Sequence, residues 1–241
     1  MTQTAVLSIP LTQLAIAFVP VLVVLLLFSY WQLNVSKTVY ALTRMLGQLL
    51  LIGYGLTYLF TTHSAMVVLL ALTVMLSYSS WVSLSTIHHK CNWHLYQRSF
   101  IAIAFGAGIP LAIMTQFVIN LQPWYEPRYM IALSSMAFST AMNNVSLSAE
   151  RFYAELEHKH DYTTARDIAF NAAMIPIINS MFVVGLVTFP GMMTGQILSG
   201  VSPFIAARYQ IMVMCMIFSS AGLTSACFLL LVKPKPHATN S

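Results

Sequence analysis

The sequence predicts an all-α integral membrane protein with about seven transmembrane helices. Hydrophobic residues make up 58% of the 241 residues and charged residues only 7%, whereas an ordinary soluble domain carries about 25% charged residues. Apolar runs of roughly 20 residues, the length that crosses a bilayer, recur from one end of the chain to the other. Because these runs are much longer than the roughly 10-residue strands of a membrane barrel, helices are the expected form. We expect residues 1–241 to form a single transmembrane domain.

Seven stretches are long and apolar enough to be spans. No Lys or Arg precedes Lys37, so the basic segment of a cleavable signal is missing and the first run is expected to remain as a span. The predicted spans are residues 11–31, 40–60, 64–86, 99–121, 129–148, 169–188 and 209–232.

The positions of the basic residues predict an N-out, C-in orientation. With the N-terminus outside, only Arg128 and Arg208 of the eleven Lys and Arg residues fall in outer segments. Inner loops normally carry the excess of basic residues, so the reverse orientation is disfavoured. The same scatter explains the net charge of +5 without nucleic-acid binding. Residues 233–241 then form a cytoplasmic tail, and the expected location is the inner (plasma) membrane.

Residues 149–168 form the one large, charged connection, and they lie on the predicted inner side. This segment, AERFYAELEHKHDYTTARDI, holds five of the six acidic residues, and its pattern indicates short amphipathic helices. A loop of this length often has a function, so we expect it to dock a cytoplasmic partner; a solvated linker is the alternative. The residues expected to couple to that partner are Arg151, Glu155, Leu156, Arg166 and Asp167.

Residues 189–207, FPGMMTGQILSGVSPFIAA, are predicted to be a broken or re-entrant segment at the outer side. They contain two prolines and three glycines, and no charge occurs between residues 168 and 207. Interrupted helices often line substrate sites in transporters, although a tight outer turn is the simpler alternative. The substrate-path candidates from this segment are Met192, Met193, Thr194 and Gln196.

Two further spans carry polar side chains at helical spacing. In the fifth span Ser135, Ser139, Asn143 and Ser146 fall on one face, which must meet either another helix or a watery cavity. From this region Asn143 and Asn144 are substrate-path candidates. In the second span Arg44 and Gln48 are expected to be structural anchors, because Arg44 lies close enough to the inner end to snorkel.

Sulfur and imidazole groups offer only weak metal signals. The fifteen methionines are best explained as adaptable packing, and Met212, Met214 and Met216 alternate along the chain, so they do not share a helical face. The three cysteines form no disulfide pattern. In an inner loop, four side chains could hold Zn(II) or Fe(II), although a polar loop alone explains them; they are His88, His89, Cys91 and His94.

Three motifs resemble the FetB (YbbM, UPF0014) family of ABC transporter permeases. The most specific is VVGLVTFPGMMTGQILSGVSPFIAARYQIMVM at residues 183–214; the others are RMLGQLLLIGYGLTYLF in the second span and AMIPIINSM, which places Asn179 and Ser180. Those two residues join the substrate-path candidates by resemblance. The chain departs from the family pattern in two places: SMAFSTAM replaces GMxxGNxM in the fifth span, and the inner loop lacks an LGAT element.

The resemblance implies a permease subunit that works as a homodimer with two copies of a separate, FetA-like cytoplasmic ATPase. It implies export, with iron as the proposed cargo, while an organic or sugar-nucleotide cargo is the alternative. No nucleotide-binding motif is present in the chain, so ATP and Mg are expected on the partner and no cofactor on this chain. An enzyme is disfavoured because no embedded pair of titratable groups offers acid–base chemistry. A seven-helix receptor and a secondary transporter are further alternatives, but the last span has no retinal-binding lysine and no span carries a carboxylate for a driving ion.

Overall fold

The computed structural model describes residues 10–61, 64–85 and 92–232, and the chain divides into two units, residues 1–62 and 63–241. Almost every described residue outside short turns is helical, which confirms the predicted fold class. The elements are α1 (Leu11–Ile16), α2 (Val19–Tyr30), α3 (Val35–Thr61), α4 (Ala65–Ser83), α5 (Trp93–Ile113), α6 (Pro127–Glu157), α7 (Tyr162–Val183), α8 (Gly191–Leu198) and α9 (Pro203–Leu231).

The first unit contains α1 to α3. The first predicted span is divided between α1 and α2, because Pro20 lies in the first turn of α2, where its missing N–H and fixed φ favour a helix start. Within this unit α2 packs on α3. None of the side chains described between residues 10 and 61 is buried, as expected for helices whose apolar faces meet lipid or other protein.

The second unit contains α4 to α9 around a core formed by α5, α6 and α9. Helix α4 packs against α5 and α6, α7 packs against α6 and α9, and α8 packs on α9. Alanines fill many of the contact positions and are fully buried, which lets the helix backbones approach closely; they include Ala102, Ala107, Ala137, Ala141, Ala149, Ala165, Ala169 and Ala173.

Serine side chains join three of these helices. The Ser83 and Ser99 hydroxyl oxygens lie 2.7 Å apart between α4 and α5, and the Ser146 hydroxyl of α6 donates to the carbonyl oxygen of Ser83 at 2.8 Å. Hydroxyl hydrogen bonds of this kind satisfy polar groups that lipid cannot. The predicted polar stripe of the fifth span therefore makes a helix contact at Ser146, while Ser135, Ser139 and Asn143 on the same side of α6 are exposed.

Five helical segments among the described residues are long and apolar enough to cross a membrane: Thr12–Tyr30, Val35–Thr61, Ala65–Ser83, Trp93–Val118 and Pro203–Leu231. The fourth continues α5 through a π-helical turn, Met114–Val118. The other two predicted spans lie within α6 and α7, which contain 31 and 22 residues but carry more polar and charged side chains. Seven crossings and the N-out orientation stay predictions.

The segment expected to be a large inner loop is mostly helical. Helix α6 continues through Glu157 and α7 begins at Tyr162, so only residues 158–161 are non-helical. The reason is that Ala149, Phe152 and Glu155 are buried at helical spacing and extend the packed face of α6. The sequence pattern of amphipathic helices was therefore right, but the helices are extensions of α6 and α7 rather than separate elements.

Candidate functional site

The predicted interruption before the last long helix is present in the structure. Helix α7 ends at Val183, and Gly185 then adopts a φ of +86°, a conformation that favours glycine. The Gly185 N–H donates to the carbonyl oxygen of Thr188 at 2.9 Å. After Pro190 comes the eight-residue α8, and a second left-handed glycine, Gly200 at φ +90°, precedes α9. Two glycine turns and two prolines therefore break the helix that a continuous apolar run would otherwise form.

A cavity of about 330 Å³ lies at this interruption, between the end of α7, α8 and the N-terminal half of α9. Carbon atoms provide most of its wall, and four side chains contribute sulfur. Its lining residues are Met181, Val184, Gly185, Pro190, Met193, Ala207, Gln210, Ile211, Met214 and Cys215. We call it the sulfur-lined cavity.

Gln210 is the buried polar group of the sulfur-lined cavity. Its side chain is only 7% exposed, and its Oε1 atom has no hydrogen-bond partner within the described residues. A buried amide oxygen normally has a partner, and leaving it without one is unfavourable. Gln210 therefore marks a point in this wall where an external donor or cation would be stabilised.

The substrate-path candidates on α8 lie on different faces of that helix and therefore have different surroundings. Met193 lines the sulfur-lined cavity, while Met192 packs against the core of the second unit. The Thr194 hydroxyl is exposed and donates to the carbonyl oxygen of Pro190 at 3.1 Å. Gln196 is half-buried, and its Oε1 atom also has no hydrogen-bond partner in the described part of the chain.

The candidates on α6 and α7 do not line this cavity. Asn144 is buried and donates from Nδ2 to the carbonyl oxygen of Thr140 at 3.1 Å, whereas the neighbouring Asn143 is exposed. On α7, Asn179 is exposed, and the Ser180 hydroxyl donates to the carbonyl oxygen of Ile177 at 2.7 Å. The transport roles of the predicted path residues therefore stay predictions.

Sequence reasoning missed Met181, Gln210, Met214 and Cys215 as cavity residues. The signal was available on α9, since residues 207, 210, 211, 214 and 215 recur at helical spacing and share one face. The alternation of the three methionines concealed this face, because they do not all lie on it. Met212 and Met216 are buried in the core, as the packing hypothesis predicts, whereas Met214 lines the cavity.

At the other end of α6, Glu155 holds the turn between α6 and α7. Its carboxylate is almost fully buried and lies 2.6 Å from Arg151 Nη2 and 2.6 Å from His160 Nδ1. The backbone N–H of His160 also donates to the carbonyl oxygen of Glu155 at 3.2 Å. Glu155 is thus enclosed by the fold and acts by positioning residues 158–161.

The remaining coupling candidates are more accessible. Leu156 packs partly against the core, but Arg166 and Asp167 lie at the surface, where Arg166 Nη2 is 2.6 Å from Asp167 Oδ1. Hydrogen bonds from Thr163 and Thr164 lower the pKa of Asp161 to about 2, so this exposed carboxylate is ionised at neutral pH. The end of the second unit at the α6–α7 turn therefore presents a mixed-charge surface that could contact a partner.

The last predicted residues to be placed are the weak metal candidates and the two anchor residues of α3. Within the described residues, no three His, Cys, Asp or Glu side chains lie together as a metal site would require. Of the weak candidates, His94 is exposed at the start of α5, and His88, His89 and Cys91 lie outside the described residues. On α3, Arg44 is half-buried and Gln48 is exposed.

Comparison with known proteins links this architecture to one family. The chain matches the model of the uncharacterised protein family UPF0014 over residues 11–166 and 161–235. It is 31% identical to the probable iron export permease protein FetB of Escherichia coli over 235 residues, covering 90% of this chain and 88% of that protein.

Other relatives extend from cyanobacteria to plants. The UPF0014 membrane protein slr1647 of Synechocystis is 31% identical over 81% of this chain and 82% of its own length. Protein ALUMINUM SENSITIVE 3 of Arabidopsis thaliana is 27% identical over 88% of this chain and 81% of its own length. No solved structure matches the chain. The resemblance inferred from the three motifs is thereby confirmed, and the chain belongs to the UPF0014 family of multi-pass membrane proteins.

Proposed function

We propose that this chain is the membrane-spanning permease subunit of an ABC transporter that exports a metal ion. The observation that carries the proposal is the 31% identity, over 90% of the chain, to a protein named as a probable iron export permease. ATP hydrolysis takes place on a separate, FetA-like cytoplasmic ATPase, and this chain itself is not an enzyme and binds no cofactor.

The interrupted helix supports a transport role. Non-helical backbone within a membrane must be shielded by protein or by a water-filled cavity, and broken helices commonly form substrate sites. Here the interruption borders the sulfur-lined cavity, which is open to the surface, with Met193 on one side and Gln210 and Met214 on the other. The substrate path therefore passes this cavity.

The inner end of the second unit supports coupling to an external motor. Arg151, Arg166 and Asp167 present charged groups at the surface, while the Tyr162 hydroxyl donates to the carbonyl oxygen of Leu229 on α9 at 3.0 Å. Helix α9 is continuous from there to the cavity, and the 15 residues between Leu229 and Met214 span about 22 Å at 1.5 Å per residue. A push on the turn at residues 158–161 is thus transmitted along α9 to the cavity.

Exposed polar groups on α6 and α7 support a homodimer. Asn143 and Asn179 are exposed on the surface of the chain, and a carboxamide facing lipid is unfavourable because lipid offers it no hydrogen bond. A second copy of the chain, with a watery path between the two, would cover both groups. The proposed assembly therefore has two permease chains and two ATPase chains.

The cargo class has one competing candidate. An organic cargo is favoured by the mostly carbon wall of the sulfur-lined cavity, whose volume of about 330 Å³ falls within the roughly 300–1,000 Å³ of small-molecule pockets. A sugar-nucleotide cargo has no such support, because no Lys or Arg among the described residues lines the cavity to pair with a diphosphate. Iron enters the proposal through the E. coli relative alone, since no Asp or Glu lines this cavity.

Inverted membrane vesicles containing this chain and a FetA-like ATPase from the same organism test the proposal. We expect the two proteins to purify together and the vesicles to accumulate a metal ion when ATP is added, with Fe(II) and Cu(I) supplied in separate assays, because export from the cytoplasm becomes uptake in this geometry. The matched control replaces the P-loop lysine of the ATPase, which should abolish accumulation. A co-purifying pair that accumulates a labelled sugar nucleotide instead supports the alternative cargo, and a chain that binds no ATPase contradicts the proposal.

A further inference from the structure

The sulfur-lined cavity gathers an unusual set of donor atoms from three helices. Met181 comes from α7, Met193 from α8, and Met214 and Cys215 from α9. Three thioethers and one thiol thus surround one space, although they are up to 34 positions apart in the sequence. Adaptable packing explains single methionines well, but it gives no reason for a thiol and three thioethers to share one wall.

The buried amide of Gln210 is a second, independent observation at the same place. Gln210 lines the cavity with a side chain that is 93% buried, and its Oε1 atom lacks a hydrogen-bond partner within the described residues. An oxygen in this position is a potential ligand or an acceptor for a cation-bound water. The cavity therefore combines soft sulfur donors with one unsatisfied oxygen.

The charge environment selects among cations. No charged residue occurs from residue 168 to 207 or from residue 209 to 232, so the three lining helical segments offer at most one negative charge, the thiolate of Cys215. Arg208 does not add a positive charge here, because it is exposed and lines a separate cavity with Val118 and Met212. A monovalent cation bound to one thiolate is neutral, whereas a divalent cation would leave an uncompensated charge in an apolar site.

From these observations we infer that the sulfur-lined cavity is a binding site for a soft monovalent cation of the Cu(I) or Ag(I) class, held by Met181, Met193, Met214 and the Cys215 thiolate. Thioether and thiolate ligands select such ions, whereas Fe(II) and harder cations prefer nitrogen and oxygen ligands. On binding, the metal–sulfur bond at Cys215 forms as the S–H bond breaks, and the proton leaves to water. The inference rests on the proposed function for its physiological meaning. It narrows the metal cargo of that site to soft monovalent cations.

Metal titration of the purified full-length chain tests the site directly. The probes are Ag(I) as the nitrate and Cu(I) presented against a competing Cu(I) chelator, with Fe(II) under anaerobic conditions for comparison. Cys91 and Cys227 are first replaced by serine, so that Cys215 is the only thiol. We expect about one equivalent of Ag(I) or Cu(I) to bind, with sulfur neighbours in X-ray absorption spectra, and Fe(II) to bind at least about tenfold more weakly.

Matched variants separate this site from general sulfur affinity. Cys215→Ser and Met193→Leu should each weaken Ag(I) binding by at least about 10-fold, the lower end of the loss seen even for outer-shell partners. Met66→Leu, on an exposed position of α4, should leave binding unchanged. Because Leu conserves the volume of Met, equal elution profiles on gel filtration show that the variants are folded.

Two results would overturn the inference: unchanged Ag(I) binding in Cys215→Ser and Met193→Leu, or equal affinity for Fe(II). Co-purification of the ATPase with the same wild-type preparation is measured in parallel. Metal binding without ATPase association would leave the site standing and contradict the proposed function, while ATPase association without Ag(I) binding would contradict the site alone.

Discussion

Gly106 of α5 lies directly against the backbone of Thr224 of α9. A Cβ atom added at Gly106 would fall 2.5 Å from both the Cα and the N atom of Thr224, so the two helices approach each other at backbone distance. Glycine permits such an approach because it has no side chain between the helices. This contact brings α9 against α5 in the middle of the core, and α9 in turn carries the Gln210, Met214 and Cys215 wall of the sulfur-lined cavity.

Gly106→Ala should destabilise the second unit. The added methyl group collides with backbone atoms that cannot rotate away, so we expect a loss of at least about 1–3 kcal/mol, the usual cost of overpacking a core. Thermal unfolding of the purified protein in detergent measures the effect. Gly108→Ala is the matched control, because a Cβ atom there meets nothing within 4 Å and alanine is the better helix former. Equal stability of the two variants would contradict the close approach.

Glu155→Gln should loosen the turn between α6 and α7. The amide keeps the shape of the carboxylate but loses the charge that faces Arg151 and His160. Because both partners are about half exposed, we expect a loss of about 1 kcal/mol, below the 1.5–3 kcal/mol typical of charged hydrogen bonds. Hydrogen exchange of residues 158–161 reports the loosening, and Glu150→Gln, an exposed site on the same helix, should leave exchange unaltered.

Gly195→Leu should block transport without preventing folding. A Cβ atom at Gly195 meets nothing within 4 Å, so the protomer accommodates a larger residue, but α8 forms part of the proposed substrate path. ATP-dependent accumulation in vesicles should fall to background while gel filtration is unchanged, and Gly191→Leu should behave in the same way. Full transport by both variants would show that this face of α8 is outside the path.

Gly185→Leu, unlike Gly195→Leu, should lower the stability of the protein. Its φ of +86° is strained for any residue with a Cβ atom, at a cost of about 1–3 kcal/mol. We therefore expect Gly185→Leu to lower the unfolding temperature, which Gly195→Leu should not do. A comparison of the two melting curves thus distinguishes a conformational requirement for glycine from a spatial one.

The sequence predicted the helical membrane class and the interruption because both depend on local chemistry. Long apolar runs, Pro190 and Pro203 act through their own backbone, and no distant residue is needed to interpret them. By contrast, the cavity joins Met181, Met193 and Cys215 from three different helices, and sequence spacing on one helix cannot reveal this neighbourhood. In the charged segment at residues 149–168 the sequence predicted short amphipathic helices, but their continuity with α6 and α7 depends on the burial of Phe152 and Ala165, which is a tertiary property.

Charge reversal at the inner surface should weaken ATPase binding. Asp167→Lys combined with Arg166→Glu reverses two exposed groups next to a groove of about 250 Å³ that Phe170 and Leu229 also line. Because rim charges mainly set complementarity and association rate, we expect reduced co-purification that is most marked at low salt. Arg128→Glu, exposed at the opposite end of α6, is the control and should have no effect. Retained binding by the double variant would move the docking surface elsewhere.

The predicted N-out, C-in orientation can be tested with single cysteines at the two ends of α6. Trp124 precedes this helix and is 45% exposed, while His158 follows it and is also exposed. In a background without native cysteines, Trp124→Cys should react with a membrane-impermeant maleimide on intact cells, and His158→Cys only after permeabilisation. The basis is the excess of Lys and Arg on the side of His158. Labelling of both positions from one side would mean that α6, the least apolar of the long helices, does not cross the membrane. The reverse labelling pattern would place the proposed ATPase-docking surface outside the cell and would contradict the coupling mechanism.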